Sequence, residues 1–242
     1  MVDRRDATVI TLLADPGILR AGATVDLPAA ESHHLRVRRA REGEVVRIAD
    51  GHGLVATGTL IGYERATLSA VSEAARPAPL QLAVAAGDKE RWGWLVEKAA
   101  EVGVTDLLPV AMERTAGVAT RLREEHLEKL QRRALEAIKQ SGAAWAPVVH
   151  PLVDLDAFCL RSFAGRRWVA DRAGASPRPV VEPSGVCVVV GPEGGFTDRE
   201  RRQLLDAGFE PVRLGPHILR FETAALAAAL AAGGWRKEGE DA

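Results

Sequence analysis

The chain has 242 residues, of which 47% are hydrophobic and 27% charged, a composition typical of a globular protein that can bury one large core or two small ones. The formal net charge is only −1 at pH 7. This excludes a general electrostatic attraction for nucleic acid, so any RNA contact has to come from local basic patches.

The sequence shows no targeting or metal signature. Its first residues, MVDRRDATVITLL, contain no uninterrupted apolar run or cleavage site, and later apolar stretches are far shorter than a membrane span. Cys159 and Cys187 lack CxxC neighbours, and the adjacent His33 and His34 cannot form the usual helical i, i+4 ligand pair. We therefore expect a cytoplasmic protein without membrane contact or metal, in which Cys187, within VCVVV, is a buried, inert thiol.

The N-terminal third predicts a small β-domain. Short β-like runs extend from residue 8 to about residue 72, including VRIAD (46–50) and ATGTLI (56–61), and Asp50-Gly51 and Gly53 supply turn signals between them. This pattern is typical of a β-barrel or sandwich. The segment AARPAP (74–79) then disfavours regular structure, so we place a domain boundary there and predict domains at 1–75 and 78–242.

The rest of the chain predicts an α/β domain. Helices are expected at 90–103, at 122–140, after a capping box of Thr197 and Glu200, and at 222–232. They alternate with the apolar runs LQLAVAA (80–86), DLLPV (106–110), RRWVA (166–170), VCVVV (186–190) and PVRL (211–214). This order indicates a mostly parallel sheet with helices on both faces.

Two strand ends carry unusual residues. In VCVVVGPEGGFTDRE (186–200), Gly191, Gly194 and Gly195 lack a Cβ atom and can let a ligand approach the backbone. The stretch matches neither a Walker loop nor GxGxxG, and it can also be a simple tight turn. Glu193 is a poor choice for turn geometry alone, although it can lie in solvent or at the following helix N-terminus.

The second strand end is LGPHILRFETAALAAAL (214–230), where Arg220 and Glu222 flank an aromatic residue. Taken alone, Arg220 is best interpreted as an ion-pair partner of Glu222 or Glu193. However, two glycine-bearing strand ends about 24 residues apart, each followed by a helix, favour a binding site over two unrelated turns.

Together, GPEGGF and LGPHILRFETA resemble the RsmE family of the SPOUT superfamily, enzymes that methylate N3 of a uridine in 16S ribosomal RNA. The resemblance covers nearly the whole chain. It includes HHLRV (33–37) with Arg39, GDKERWGWLVEKAAEVGV (87–104), Glu113-Arg114-Thr115 and the segment 136–142.

The resemblance implies an N-terminal PUA-like β-barrel for RNA and a C-terminal SPOUT domain with a trefoil knot. It also implies S-adenosyl-L-methionine as cofactor, a homodimer, and the small ribosomal subunit as partner. The cofactor would be held largely by backbone groups of two loops, at Val190, Gly191, Gly194, Gly195, Leu214, Gly215, Ile218 and Leu219. The implied RNA-binding residues are His34, Arg36, Arg38, Arg39, Arg41, Lys89 and Arg114, of which the first five form a basic stretch that can also be a solvated face.

A mechanism follows as a hypothesis, because uridine N3 carries a proton at neutral pH that has to be removed. Arg220 would stabilise the negative charge on the uracil carbonyl oxygens, and Glu222 or Glu193 would orient Arg220 or accept the proton.

One departure from the family affects this assignment. Where members commonly carry Glu-Gln-Ser/Cys-Gly-Arg, this chain has Lys139 to Ala143, so an arginine such as Arg121, Arg123 or Arg172 would have to replace the missing one.

Other functions stay open at this point. The same fold can act on transfer RNA or on a ribose 2′-hydroxyl, although the GPEGG and LRFETA pairing speaks against both. The missing arginine keeps a non-catalytic RNA-binding or assembly protein in consideration. A hydrolase using Ser141 or Ser184 is weakly supported, because neither serine lies in a G-x-S-x-G elbow.

Overall fold

The computed structural model describes residues 9–177 and 184–233, and the chain divides into two compact units. The first unit comprises the chain up to Arg76 together with Leu135–Ala146, and the second comprises Pro77–Ala134 and the chain from Pro147 onward. The break at Arg76 and Pro77 falls inside the proline-bearing segment. The sequence did not indicate that 135–146 would group with the N-terminal unit.

The first unit is built on a five-stranded sheet in the order β1-β3-β4-β5-β2, antiparallel except where β1 pairs with β3. Leu12, Leu35, Ile48 and Leu60 are fully buried in its core. Leu35 comes from the helix α1, which carries the basic stretch. The elements are β1 (Ile10–Leu13), β2 (Thr24–Asp26), α1 (Ala29–Arg38), β3 (Val45–Ala49), β4 (Leu54–Ile61) and β5 (Arg65–Glu73).

Two glycines explain why 135–146 belongs to this unit. The backbone of Gly51 accepts from Ala146 N at 2.9 Å, and Gly53 N donates to Ala144 O at 3.0 Å. Both glycines have positive φ, and a Cβ atom on Gly53 would lie 2.5 Å from the Trp145 ring. The turn glycines therefore also provide a surface on which the distant segment packs.

The second unit contains a seven-stranded sheet in the order β12-β10-β11-β6-β7-β8, with β9 also pairing with β7. Each strand pair described in this sheet is parallel. The strands are β6 (Leu80–Ala85), β7 (Asp106–Ala111), β8 (Val148–Val149), β9 (Val153–Asp154), β10 (Arg166–Ala175), β11 (Val186–Val190) and β12 (Glu210–Val212). Its helices are α2 (Lys89–Glu101), α4 (Leu155–Cys159), α5 (Asp198–Asp206) and α6 (Phe221–Ala231). The helix α3 (Leu127–Ser141) is divided between the units, with its residues up to Ala134 in the second unit and those from Leu135 in the first.

The run VCVVV is buried at every position because the central strand β11 is covered on both faces. Val186, Val188 and Val190 belong to one apolar cluster, which includes residues of α2, α3 and α6. Cys187 and Val189 belong to the opposite cluster, with residues of α4 and α5. This confirms the predicted α/β layering. No helix in the described ranges is long and apolar enough to cross a membrane.

Parallel pairing also decides where a site can form. Because β10 pairs in parallel with both β11 and β12, the three strands point their carboxyl ends to the same edge of the sheet. The glycine turn follows β11 and the loop 213–220 follows β12. The fold thus brings both sequence motifs to one edge, the usual ligand position in open α/β sheets.

Candidate active site

A cavity of about 280 Å³ lies at this edge, close to the lower end of the range that small-molecule sites commonly occupy. It is lined by 170–172 of β10, by 190–196, by 213–215 and 217–219, and by Phe221 and Ala224 of α6. All the residues assigned to cofactor binding from the resemblance lie along it: Val190, Gly191, Gly194, Gly195, Leu214, Gly215, Ile218 and Leu219.

The glycine turn is close-packed. Gly195 has φ +73 and donates its N–H to Pro192 O at 2.8 Å. A Cβ atom on Gly191 would lie 3.0 Å from the Phe196 ring, and one on Gly194 would lie 3.1 Å from Arg114 Cδ. Side chains at these positions would fill space that the neighbouring residues already use, so glycine leaves the backbone itself as part of the cavity wall.

Two arginines from other elements contact this turn. The Arg114 guanidinium donates to the carbonyl oxygen of Gly194, and the Arg91 guanidinium pairs with the Glu193 carboxylate. Arg114 follows β7, whereas Arg91 lies in the first turn of α2. The turn between β11 and α5 is therefore held from two directions.

Glu200 fixes the start of α5 beside the turn. Its Oε2 accepts from Thr197 N at 2.8 Å, which confirms the predicted capping box. Its Oε1 accepts from Glu113 N at 2.8 Å. This almost completely buried carboxylate therefore also holds the segment that carries Arg114.

The three catalytic candidates occupy different environments. Glu193 lines the cavity and is exposed. Glu222 is buried and does not line the cavity, and its Oε2 has no hydrogen-bond partner within the described chain. Arg220 is the N-cap residue of α6, with an exposed side chain that makes no ion pair or hydrogen bond with the other described residues.

The sequence motif, taken alone, predicted that Arg220 pairs with Glu222 or Glu193, and neither ion pair is observed. Instead, Arg91 contacts Glu193, and its Nε lies 4.0 Å from Glu222 Oε1. The reason is that α2 packs on α6, which brings the N-terminal part of α2 to these carboxylates. Sequence reasoning treated this segment as a core helix and missed Arg91. The only signal for Arg91 was its position just after the carboxyl end of β6, which pairs in parallel with β11 and therefore ends at the same edge of the sheet.

Asp88 caps the helix that carries Arg91. Its Oδ1 accepts from Glu90 N at 3.0 Å and Arg91 N at 3.1 Å, and its Oδ2 accepts from Thr120 Oγ1 at 2.6 Å. The Thr120 hydroxyl is the main cause that lowers the pKa of Asp88 below its ordinary value of 3.8, with smaller contributions from the cap and from the charge of Arg91. The cap is consequently an ionised carboxylate at neutral pH.

The residues assigned to RNA binding belong to both units. In α1, Arg36 pairs with Glu64 at 2.7 Å and lies 5.7 Å from the centre of the Tyr63 ring, while His34 is half-buried. Arg38, Arg39 and Arg41 are exposed, and Arg39 ends the helix with a left-handed φ of 55. In the second unit, Lys89 is the first residue of α2, and Arg114 contacts the glycine turn.

The segment 139–143, where this chain departs from the family pattern, contacts two residues of the N-terminal sequence. Lys139 Nζ lies 2.8 Å from Glu31 Oε1, and Arg47 donates to Gly142 O at 2.9 Å. Among the arginines considered as replacements, Arg172 lines the cavity, whereas Arg121 and Arg123 do not.

Within the part of the chain that the structure describes, no group of three or more His, Cys, Asp or Glu side chains could hold a metal ion.

Comparison with known proteins identifies the family. Residues 74–233 match the model of the RNA methyltransferase domain, and residues 27–69 match the RNA methyltransferase PUA domain. The ribosomal RNA small subunit methyltransferase E of Synechocystis is 32% identical over 216 residues, covering 84% of this chain and 70% of that protein. Its counterpart in Mycobacterium tuberculosis is 30% identical, covering 83% and 82%.

Solved structures agree. The methyltransferase E of Neisseria gonorrhoeae bound to S-adenosyl methionine has a TM-score of 0.82 at 30% identity, covering 94% of this chain and 98% of that one. A methyltransferase of Legionella pneumophila in complex with the same cofactor has a TM-score of 0.80 at 27% identity, with the same coverage. From its sequence motifs, its fold and these similarities, the chain belongs to the ribosomal RNA small subunit methyltransferase E family, the RsmE family.

Proposed function

We propose that this chain methylates N3 of a uridine in 16S ribosomal RNA of the small subunit, with S-adenosyl-L-methionine as cofactor. The observation that carries the proposal is the cavity at the ends of β11 and β12, where both family motifs meet. Two solved relatives of similar fold contain this cofactor in bound form.

The cavity suits such a ligand. Val190, Leu214, Leu219 and Phe221 offer apolar contact for a flat adenine ring. The glycine turn offers backbone groups at close approach, and Glu193 offers a carboxylate to a cationic group. When bound, S-adenosylmethionine supplies an electrophilic methyl group.

The protein side chains then have to deal with the uridine N3 proton. Arg220 adjoins two cavity-lining residues, and its guanidinium is not engaged by any described residue. It can therefore stabilise negative charge on the uracil carbonyl oxygens. Glu193 lies on the cavity wall and is the candidate proton acceptor, whereas Glu222 acts from behind the wall, through its neighbours.

The N-terminal domain, at 1–75, is proposed to bind RNA through the exposed end of α1. Arg38, Arg39 and Arg41 are exposed and form no ion pair with another residue of 9–177 and 184–233, so they are available for phosphates. Neutralising all three should reduce the slope of RNA affinity against salt concentration, because fewer counterions would be released. An unchanged slope would remove this patch from the interface.

The family resemblance also supports three further proposals: a trefoil knot in the domain at 78–242, a homodimer, and a cytoplasmic location. The dimer is tested by measuring the mass of the full chain in solution by light scattering. A monomer at the concentrations at which methyl transfer occurs would rule it out.

The proposed reaction is tested with isotopically labelled S-adenosylmethionine and 30S subunits that lack their native methylations. After digestion, mass spectrometry should find labelled 3-methyluridine. Tight cofactor binding without transfer would instead favour another RNA target or an assembly role.

In the same assay, Arg220→Ala should abolish turnover while leaving cofactor and RNA binding intact. Near-full turnover of this variant would refute the role of Arg220.

A further inference from the structure

Arg91 lies between two carboxylates from different parts of the second unit. Its guanidinium pairs with Glu193 of the glycine turn, and its Nε is 4.0 Å from Glu222 Oε1 of α6. Glu193 lines the cavity, whereas Arg91 and Glu222 do not. Arg91 and Glu222 therefore do not contact a cavity ligand directly, but both can affect its binding through Glu193.

Glu222 requires an explanation. Its side chain is 10% exposed, and its Oε2 is buried without a hydrogen-bond partner in the described chain. A buried carboxylate is costly unless a cation compensates it. Within the described residues, Arg91 is the one cation within ion-pair distance of Glu222. Glu222 thus gains its compensating charge from Arg91, and in return limits where that guanidinium can lie.

The turn contacted by Arg91 contains Gly191, Gly194 and Gly195, and glycine loses more backbone freedom on ordering than other residues. An ion pair to Glu193 reduces that freedom before a ligand arrives. Preorganisation of this kind improves affinity by lowering the ordering cost of binding.

We infer that Arg91 is a positioning residue: anchored by the buried Glu222, it holds Glu193 and the glycine turn in the conformation that accepts the cofactor. The inference rests on the proposed function only for the identity of the cavity ligand. It assigns a role to a residue outside both sequence motifs.

The test is the affinity of the full chain for S-adenosylmethionine, measured by calorimetry without RNA. Arg91→Gln should weaken binding by roughly fivefold, the size expected for one partly exposed ion pair. Glu193→Gln should weaken binding at least as much, because it also removes the carboxylate that lines the cavity. The double variant should be no weaker than the more affected single variant, since both remove the same contact. Arg91→Lys keeps the charge and should recover part of the loss.

Arg133→Gln is the matched control. Arg133 pairs with Glu97 in the same unit, and these side chains are 40% and 39% exposed, against 35% and 44% for Arg91 and Glu193. It does not line the cavity, so its substitution should leave cofactor affinity unchanged. Multiplicative losses in the Arg91 and Glu193 double variant, or an equal loss in Arg133→Gln, would overturn the inference.

Arg91→Gln could unfold by leaving Glu222 uncompensated. The combined Arg91→Gln and Glu222→Gln variant removes that buried charge and keeps the test decisive: it should fold and still bind the cofactor weakly. Wild-type affinity in this variant would refute the positioning role. Failure of the proposed function is distinguishable, because a wild-type chain that binds cofactor but forms no 3-methyluridine leaves these affinity ratios unaffected.

Discussion

Replacing Lys139 by methionine would leave the carboxylate of Glu31 alone in the core of the first unit. The Glu31 side chain is 2% exposed, its Oε1 lies 2.8 Å from Lys139 Nζ, and its Oε2 has no hydrogen-bond partner in the described chain. Removing one partner of a buried pair costs about 3–5 kcal/mol, because the other charge remains desolvated. Since the Lys139 side chain is 15% exposed, we expect about 3 kcal/mol, at the lower end of that range.

Lys139→Glu should be at least as destabilising, although it introduces the residue that family members commonly carry here. In this chain the new carboxylate would face Glu31 and lie beside Glu136, so repulsion is added to the lost attraction. The family residue is therefore unsuitable in this background. Replacing both Glu31 and Lys139 by methionine should be nearly neutral, because no buried charge remains.

The measurement is urea unfolding followed by circular dichroism, with Glu136→Gln as control. Glu136 Oε2 also lies 3.1 Å from Lys139 Nζ, but its side chain is 57% exposed, so this substitution should cost less than about 1 kcal/mol. If Lys139→Met costs no more than Glu136→Gln, the reasoning from burial is wrong.

Three further predictions follow from local geometry. Gly195 has φ +73, so Gly195→Ala should cost about 1 kcal/mol of stability and weaken cofactor binding in calorimetry. The matched Gly17→Ala, at φ +84 and not lining the cavity, should affect stability alone. Because the pKa of Asp88 is lowered from 3.8, its capping contribution is present at neutral pH and is lost as the pH falls through the folded-state pKa. Asp88→Ala should therefore cost about 1 kcal/mol at pH 7, and unfolding measured below pH 3.8 should show a smaller difference from wild type. Burial raises the pKa of Cys187 to about 12, so iodoacetamide at pH 8 should label it only after unfolding in urea. Labelling of the native chain at Cys187 would contradict its burial.

Much of the second unit was predictable because strongly patterned segments determine their own structure. VCVVV predicted a buried strand, which the structure confirms, and Thr197 with Glu200 determined where α5 begins. The first unit was less predictable. Its helix α1 has a weak apolar pattern with adjacent histidines and arginines, so its ten residues gave no clear helical period.

By itself, the sequence determined the family, the α/β class of the C-terminal part and the two motifs that line the cavity, because each of these depends on neighbouring residues along the chain. Only the tertiary structure decided which charges meet. Arg91 is 102 residues from Glu193, and Lys139 is 108 residues from Glu31. Contacts over such separations depend on how helices pack on sheets, and local patterns contain no information about that packing. The same reason explains why Arg91, and not the expected Arg220, forms the ion pair with Glu193, while the Arg220 side chain is exposed.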